Sequence, residues 1–335
     1  MEPIRILLLR PDGDEPSAVD QSLGVRLAAR LGEDEPEIYL DEASFRHGDI
    51  DDLAKVFAHR RGKISGVIGA TGVAESTRLG QLAESAGVLC FVANNNPIVW
   101  QKRRQVFHIG LPSGQTAAAV AEHLRRRNCG RIALVHDQTE FQQRVAANME
   151  NALTAGGATV RSYARLADGD LASLSEWQAD VVYVIFSSEA KALPIARRIR
   201  AAGISVPLLF GRSLMRQSFL SALGVDAGES WFVDMFSRVA PGDALIVEFF
   251  ARLREAGITV ATANHAFGWD GLSFCARALK TSGGEPAKAI AYLESAVPLI
   301  GVTGSCTFSA ENHNGRSGVG PTVLTRWHES RFEEL

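Results

Sequence analysis

The sequence predicts an α/β protein of two similar lobes, each a parallel sheet flanked by helices. Short apolar runs alternate with amphipathic segments along most of the chain, the pattern of parallel strands covered by helices on both faces. Length agrees: 335 residues exceed one typical core and suit two lobes of about 150 residues each. The third observation is the punctuation Gly110-Leu111-Pro112-Ser113-Gly114, whose turn residues close one complete set of strands before a second set begins.

Taken in order, residues 4–9 read as the first strand, 18–31 as a helix and 37–40 as a strand. Helix 51–60, strand 66–68, helix 76–85 and strand 88–92 complete the first set. The second opens with helix 116–127, whose last turn carries Arg125, Arg126 and Arg127, cations that suit the macrodipole at a carboxyl end. Strand 132–135 stops at His136-Asp137, and Phe141, Val145, Met149 and Leu153 then recur at i, i+4 spacing, as an amphipathic helix requires. Gly156-Gly157 ends that helix before strand 159–163. Strands 181–185, 207–210 and 231–234 follow, with helix 190–202 among them. Beyond residue 238 come helices 243–256, 261–282 and 287–297, which simple repetition does not predict. They are natural if the chain returns to the first lobe and later crosses back.

Composition excludes several classes. A net charge of −3 gives no reason to expect nucleic acid or an anionic membrane. No run reaches the roughly 18 apolar residues of a membrane span. Cys90, Cys129, Cys275 and Cys306 are scattered without metal-like spacing, and Cys90 and Cys275 fall in apolar runs as small core residues. The redox compartment stays open. Met1-Glu2-Pro3 leads directly into the first strand, so the expectation is either a secretory signal already removed or a cytoplasmic protein.

Two strand ends carry polar clusters. Gly66-Val67-Ile68-Gly69-Ala70-Thr71-Gly72 has glycines in a GxxGxxG spacing after the third strand, which is not the dinucleotide fingerprint. What survives is a helix start at Thr71, Gly72 and Val73 whose N–H groups can hold an acceptor. The alternative is a tight turn capped by Ser76. Asn94-Asn95-Asn96 before Pro97 can orient a small polar solute without charge, or can serve as turn chemistry. His136 beside Asp137 reads as a strand-end residue with a local hydrogen bond. No GxSxG, HExxH or P-loop occurs, and the eight histidines form no ligand-spaced pair. The expectation is therefore no enzyme, no metal and no cofactor.

Six stretches in order resemble the type I periplasmic solute-binding proteins, specifically the leucine/isoleucine/valine-binding group of ABC importers. They are GVIGATGVAESTRLGQLAESAGVLCFVANNNP, RQVFHIGLPSGQTAAAVAEHL, RIALVHDQTEFQQRVAANMENALTAGGATV, ADVVYVIFSSEAKALPIARRIRAAGISVPLLFG, FGWDGLSFCARALKTSGG and LIGVTGSCTFSAENHNG. The cytosolic amide sensors of the same fold are close relatives. The resemblance implies two Rossmann-like lobes joined by three crossovers, a ligand in the cleft and hinge closure around it. Crossovers fall at 113–116, 237–240 and 302–304, giving one lobe of 1–113 plus 239–303 and a second of 114–238 plus 304–335.

Carried over position by position, the family's pocket is altered. Its Ser after the third strand is Val73 here, beside Thr71 and Gly72. Its Ala and Thr after the fourth are Asn94 and Asn96, flanking Asn95. Its two tyrosines become Phe141 and Ser188, and the carboxylate that pairs with a ligand ammonium becomes Ser213, beside Arg212. A buried ammonium without a counter-charge costs several kcal/mol, so an α-amino acid is not the expected ligand. Arg212 suits a carboxylate and Phe141 an aromatic or apolar body. The expected ligand is a small acid, aromatic compound or amide. The expected partner is an ABC permease for a periplasmic protein, or a regulatory protein for a cytoplasmic sensor. A degenerate relative without a small ligand, and an enzyme on this fold, are further alternatives.

Overall fold

The computed structural model describes residues 3–29, 38–186, 188–224, 228–235, 243–316, 322–329 and 331–335. Two compact units emerge: Met1–Pro112, Glu248–Leu253 and Asn264–Ser317 form the first, and Ser113–Val247, Arg254–Ala263 and Gly318–Leu335 the second.

Ile4–Pro11, Ile38–Phe45, Gly66–Gly69, Leu89–Val92 and Val106–His108 (β1 to β5) form the first unit's sheet, in the order β2-β1-β3-β4-β5. Every pairing in it is parallel. Ile6 to Leu9, Val67, Ile68, Cys90 and Phe91 are buried, which explains the continuous apolar runs: strands covered on both faces have no polar side. At the edge, β2 alternates exposed and half-buried residues. It therefore carries Asp41 and Glu42 and extends beyond the expected 37–40, residue 37 itself lying outside the described residues. Helices Pro16–Ala29, Ile50–Ala58 and Val73–Ala86 (α1 to α3) follow β1, β2 and β3. Residues 30–31 of the expected first helix also lie outside the described residues.

The second unit's sheet contains Arg131–His136, Thr159–Ala164, Val181–Ile185, Leu208–Phe210 and Ser230–Asp234 (β6 to β10), all parallel. Val323–His328 and Arg331–Glu334 (β13 and β14) add antiparallel strands beyond β10, giving the order β14-β13-β10-β9-β8-β6-β7. Ser113–Arg126, Glu140–Ala155, Asp168–Trp177, Glu189–Ala201 and Gln217–Leu223 are α4 to α8. The hydrophobic positions Ala146, Met149 and Leu153 of α5 are buried against β6 and β8. Gly156 caps its carboxyl end and Gly157 adopts φ +89°, as the glycine pair predicts.

Ala244–Glu255 (α9) has residues in both units, while α10 (Ala263–Thr281, from Asn264 on) and α11 (Pro286–Glu294) belong to the first. Helices α1 and α10 meet backbone to backbone. A Cβ on Gly24 would lie 1.9 Å from the His265 carbonyl oxygen, and one on Gly268 2.0 Å from that of Gln21.

Three expectations change. Helix α3 starts at Val73, not at residue 76. Ser76 does not cap it: Gly72 holds the N-cap position, and the Ser76 hydroxyl donates to the Ala70 carbonyl at 3.0 Å inside the first turn. Residues 302–304 are not a crossing, because Leu299–Gly301 and Gly304–Cys306 (β11 and β12) form a hairpin that stays in the first unit through Ser317. The reason is a buried polar cluster. Asp270 accepts the Val302 and Thr303 amides at 2.8 and 3.0 Å and the Thr303 hydroxyl. Arg316 donates to the carbonyls of Ile109, Gly110 and Thr303 at 3.1, 3.1 and 2.7 Å. The other expected crossing, 237–240, lies outside the described residues.

Candidate functional site

In parallel α/β sheets the loops at the carboxyl ends of the strands are free to bind ligands, since the helices cover both faces. In the first unit those loops are tied to one another. Gly69 has φ +143°, and a Cβ there would lie 1.9 Å from the Leu9 carbonyl oxygen, so only glycine permits this sharp exit from β3. Thr71 follows. Its carbonyl accepts the Asn94 side-chain amide at 2.7 Å, and its hydroxyl meets Glu15 at 3.3 Å. Glu15 also accepts the Ser17 and Ala18 amides at the start of α1. Thr71 and Gly72 are thus brought against Asn94, as the sequence predicts.

The asparagines divide their work. The Asn94 side-chain oxygen Oδ1 accepts the Asn96 backbone amide at 2.9 Å, and the Asn96 side chain caps the short turn Pro97–Val99. Both perform turn chemistry. Asn95 Oδ1 is buried with no donor among the described residues. Val73, 40% exposed, and Ile98, 61% exposed, add apolar surface at the same edge.

Sequence reasoning missed Glu75. This buried carboxylate in the first turn of α3 accepts the Gly48 amide at 2.8 Å, with His47 at 3.7 Å. Its second oxygen is buried without a partner, 2.7 Å from where a Gly72 Cβ would lie. An acidic residue three positions after a helix's N-cap is the signal that could have found it. The α3 start therefore already has one of the chain's own carboxyl groups folded against its first turn.

In the second unit, Phe141, Ser188, Arg212 and Ser213 follow β6, β8 and β9, which are adjacent strands. The β6 loop is braced: Asp137 accepts the Thr139 hydroxyl at 2.6 Å and the Lys191 ammonium at 2.8 Å. Burial pushes its carboxyl up, but Lys191 and Thr139 outweigh this and hold it below the usual aspartate range. His136 bonds the Asp137 carbonyl at 2.8 Å and Ser162 at 3.1 Å, the local role expected of it. The Phe141 ring is 43% exposed, with the Arg144 guanidinium carbon 5.7 Å from its centroid. Ser188 occupies the N-cap position of α7 without a side-chain cap bond.

Arg212 is half-buried, and its guanidinium donates to the Thr116 hydroxyl at 3.3 Å. Tyr183 is close: burial pushes its phenol up to about 12, against the pull of the Arg212 charge. Ser213 follows Arg212 in the short turn Arg212–Leu214 and is exposed. Among the described residues no group of His, Cys, Asp and Glu is arranged to hold a metal ion, and no helix is long and apolar enough to cross a membrane.

The family model described as periplasmic binding protein matches residues 58–329. The chain belongs to the periplasmic binding protein family. Solved structures agree on the fold of this periplasmic binding protein. A leucine-binding protein from Thermotoga maritima aligns with TM-score 0.79 at 17% identity, over 99% of this chain and 97% of that one. An ABC transporter substrate-binding protein from Desulfitobacterium hafniense, in complex with Leu, aligns with TM-score 0.78 at 22% identity over the whole of both chains. An ABC transporter solute-binding protein from R. palustris, in complex with benzoate, aligns with TM-score 0.76 at 18% identity, over 99% of this chain and 95% of that one. No curated protein matches the sequence.

Proposed function

We propose that this periplasmic binding protein is a non-enzymatic, extracytoplasmic receptor for a small organic acid with an apolar or aromatic body, delivering it to an ABC permease. In this reading the units close about the solute by a hinge motion. One observation carries the ligand class: a half-buried Arg212, beside Thr116 and Tyr183, accompanies an exposed Ser213 where the family's ammonium-pairing carboxylate would stand. A guanidinium recognises a carboxylate bidentately. The exposed Phe141 ring suits the solute's body.

Thermal-shift titration with benzoate, aliphatic carboxylates, their amides and leucine tests this reading. Acids should raise the melting temperature and Arg212→Ala should abolish the response. Stabilisation by leucine alone would sink it.

One observation favours a second reading, a cytoplasmic ligand sensor that presents its closed form to a regulatory protein. All four cysteines are unpaired, and Cys129 is only half-buried, as a reducing compartment permits. Fractionation of the producing cells separates the two.

A further inference from the structure

The first unit holds a concavity that shares no residue with the candidate ligand site. It lies beside β5, the edge strand of the sheet, and measures ≈ 820 Å³, a size that accepts small organic ligands. One wall is the turn from Trp100 to Arg104; the other is formed by Glu294 and the turn from Ala310 to Asn314. Both walls are fixed to β5. The His108 amide donates to the His313 carbonyl at 2.8 Å. The Trp100 ring stacks on His108 at 5.1 Å, and the His313 ring stacks on Phe107 at 4.1 Å.

The two walls differ in chemistry. The first carries Lys102, Arg103 and Arg104. Arg103 pairs with Glu84 at 2.6 Å, while exposed Lys102 and Arg104 enter none of the ion pairs among the described residues. This wall also contains two buried donors without an acceptor, Trp100 Nε1 and Arg103 Nε, and Trp100 is 7% exposed. A buried donor left unpaired is costly, so an acceptor-rich group is what this wall lacks. The facing wall offers acceptors instead: Glu294 faces His313 Nε2 at 3.1 Å, and Glu311 accepts the Ser309 hydroxyl at 3.0 Å.

We infer that this cavity binds a small phosphorylated polyol. Its phosphate would lie against Lys102, Arg103 and Arg104, and its hydroxyls would donate to the Glu311 side. A phosphate supplies the acceptor oxygens the first wall lacks and the counter-charge for its free cations. The hydroxyls are the donors the second wall can use.

Calorimetric titration of the full chain with ribose 5-phosphate, inorganic phosphate and ribose tests this. Ribose 5-phosphate should bind saturably and inorganic phosphate more weakly, with both weakened by added salt; ribose alone should not bind. The Lys102→Ala/Arg104→Ala double variant should keep its melting temperature and lose about tenfold or more in affinity. Arg212→Ala should leave this binding intact, so its failure is distinguishable from failure of the proposed solute site. No saturable binding of either phosphate-bearing probe at millimolar concentration, equal binding of ribose, or unchanged affinity in the double variant would each overturn the assignment.

Discussion

Asn94 donates its side-chain amide to the carbonyl of Thr71 at 2.7 Å, joining the loop after β4 to the loop after β3. The bond spans 23 residues of sequence and places two candidate ligand-binding segments in fixed register. Its removal should be felt by both.

Asn94→Ala should destabilise the protein by about 1 kcal/mol, a typical net hydrogen bond. Asn94→Asp should cost more, about 2 kcal/mol, because it sets a carboxylate against a carbonyl oxygen and strands the acceptor. Urea unfolding measures the order; equal costs would show that Thr71 finds another donor.

Gly268→Ala should destabilise the first unit, since the new Cβ would lie 2.0 Å from the Gln21 carbonyl oxygen. Separating two crossed helices costs about 1–3 kcal/mol. Gly114→Ala is the control. It lies in α4 with no atom within 4 Å of a Cβ, and alanine there should be neutral or stabilise by up to about 1 kcal/mol. Melting temperatures should move in opposite directions, or the control should not move.

Arg316→Ala should cost about 3–5 kcal/mol, the range for breaking a buried charged cluster by removing one partner. Three carbonyls and the Thr303 hydroxyl would lose their donor. Burial pushes the Asp270 carboxyl up, against the pull of Thr303 and the Arg316 charge. Loss of the guanidinium should raise it further. A loss below about 1 kcal/mol, the net worth of one ordinary hydrogen bond, would show that water replaces the guanidinium.

Asp137 supplies a pH dependence. Its folded-state carboxyl lies below the usual aspartate range, so its contribution to stability is present above an unfolded pKa of about 4 and is lost as pH falls through the folded value. Its partner Lys191 is 55% exposed, which limits the contribution to about 1 kcal/mol or less. Asp137→Asn should therefore be slightly less stable than the native protein at neutral pH and indistinguishable from it in strong acid. A difference that grows on acidification would contradict the sign.

Much of the fold was legible because its signals are local. The β6–α5–β7 unit declares itself in an apolar run, an i, i+4 stripe and a glycine pair, each set by backbone geometry over a few residues. The strands missed were short or polar. β5 has three residues, and β13 and β14 carry exposed charges along an antiparallel edge. Helices α6 and α8 were missed as well. The site was legible in part. Thr71, Gly72 and the asparagines lie together as their strand-end positions predict, whereas Glu75 lay outside the expected helix 76–85 and its burial has no local signature.

The sequence by itself determined the alternation of strands and helices, the two-unit plan and the polar strand-end turns, because apolar periodicity and turn chemistry act over short range. Tertiary structure alone decided which polar groups are buried and what they face. Asp270 and Arg316 are ordinary charges in the sequence, yet they hold the β11–β12 hairpin in the first unit across long stretches of chain. Gly24 and Gly268 are needed only because α1 and α10 meet at them. Burial and long-range pairing depend on distances between residues remote in sequence, which no local pattern encodes.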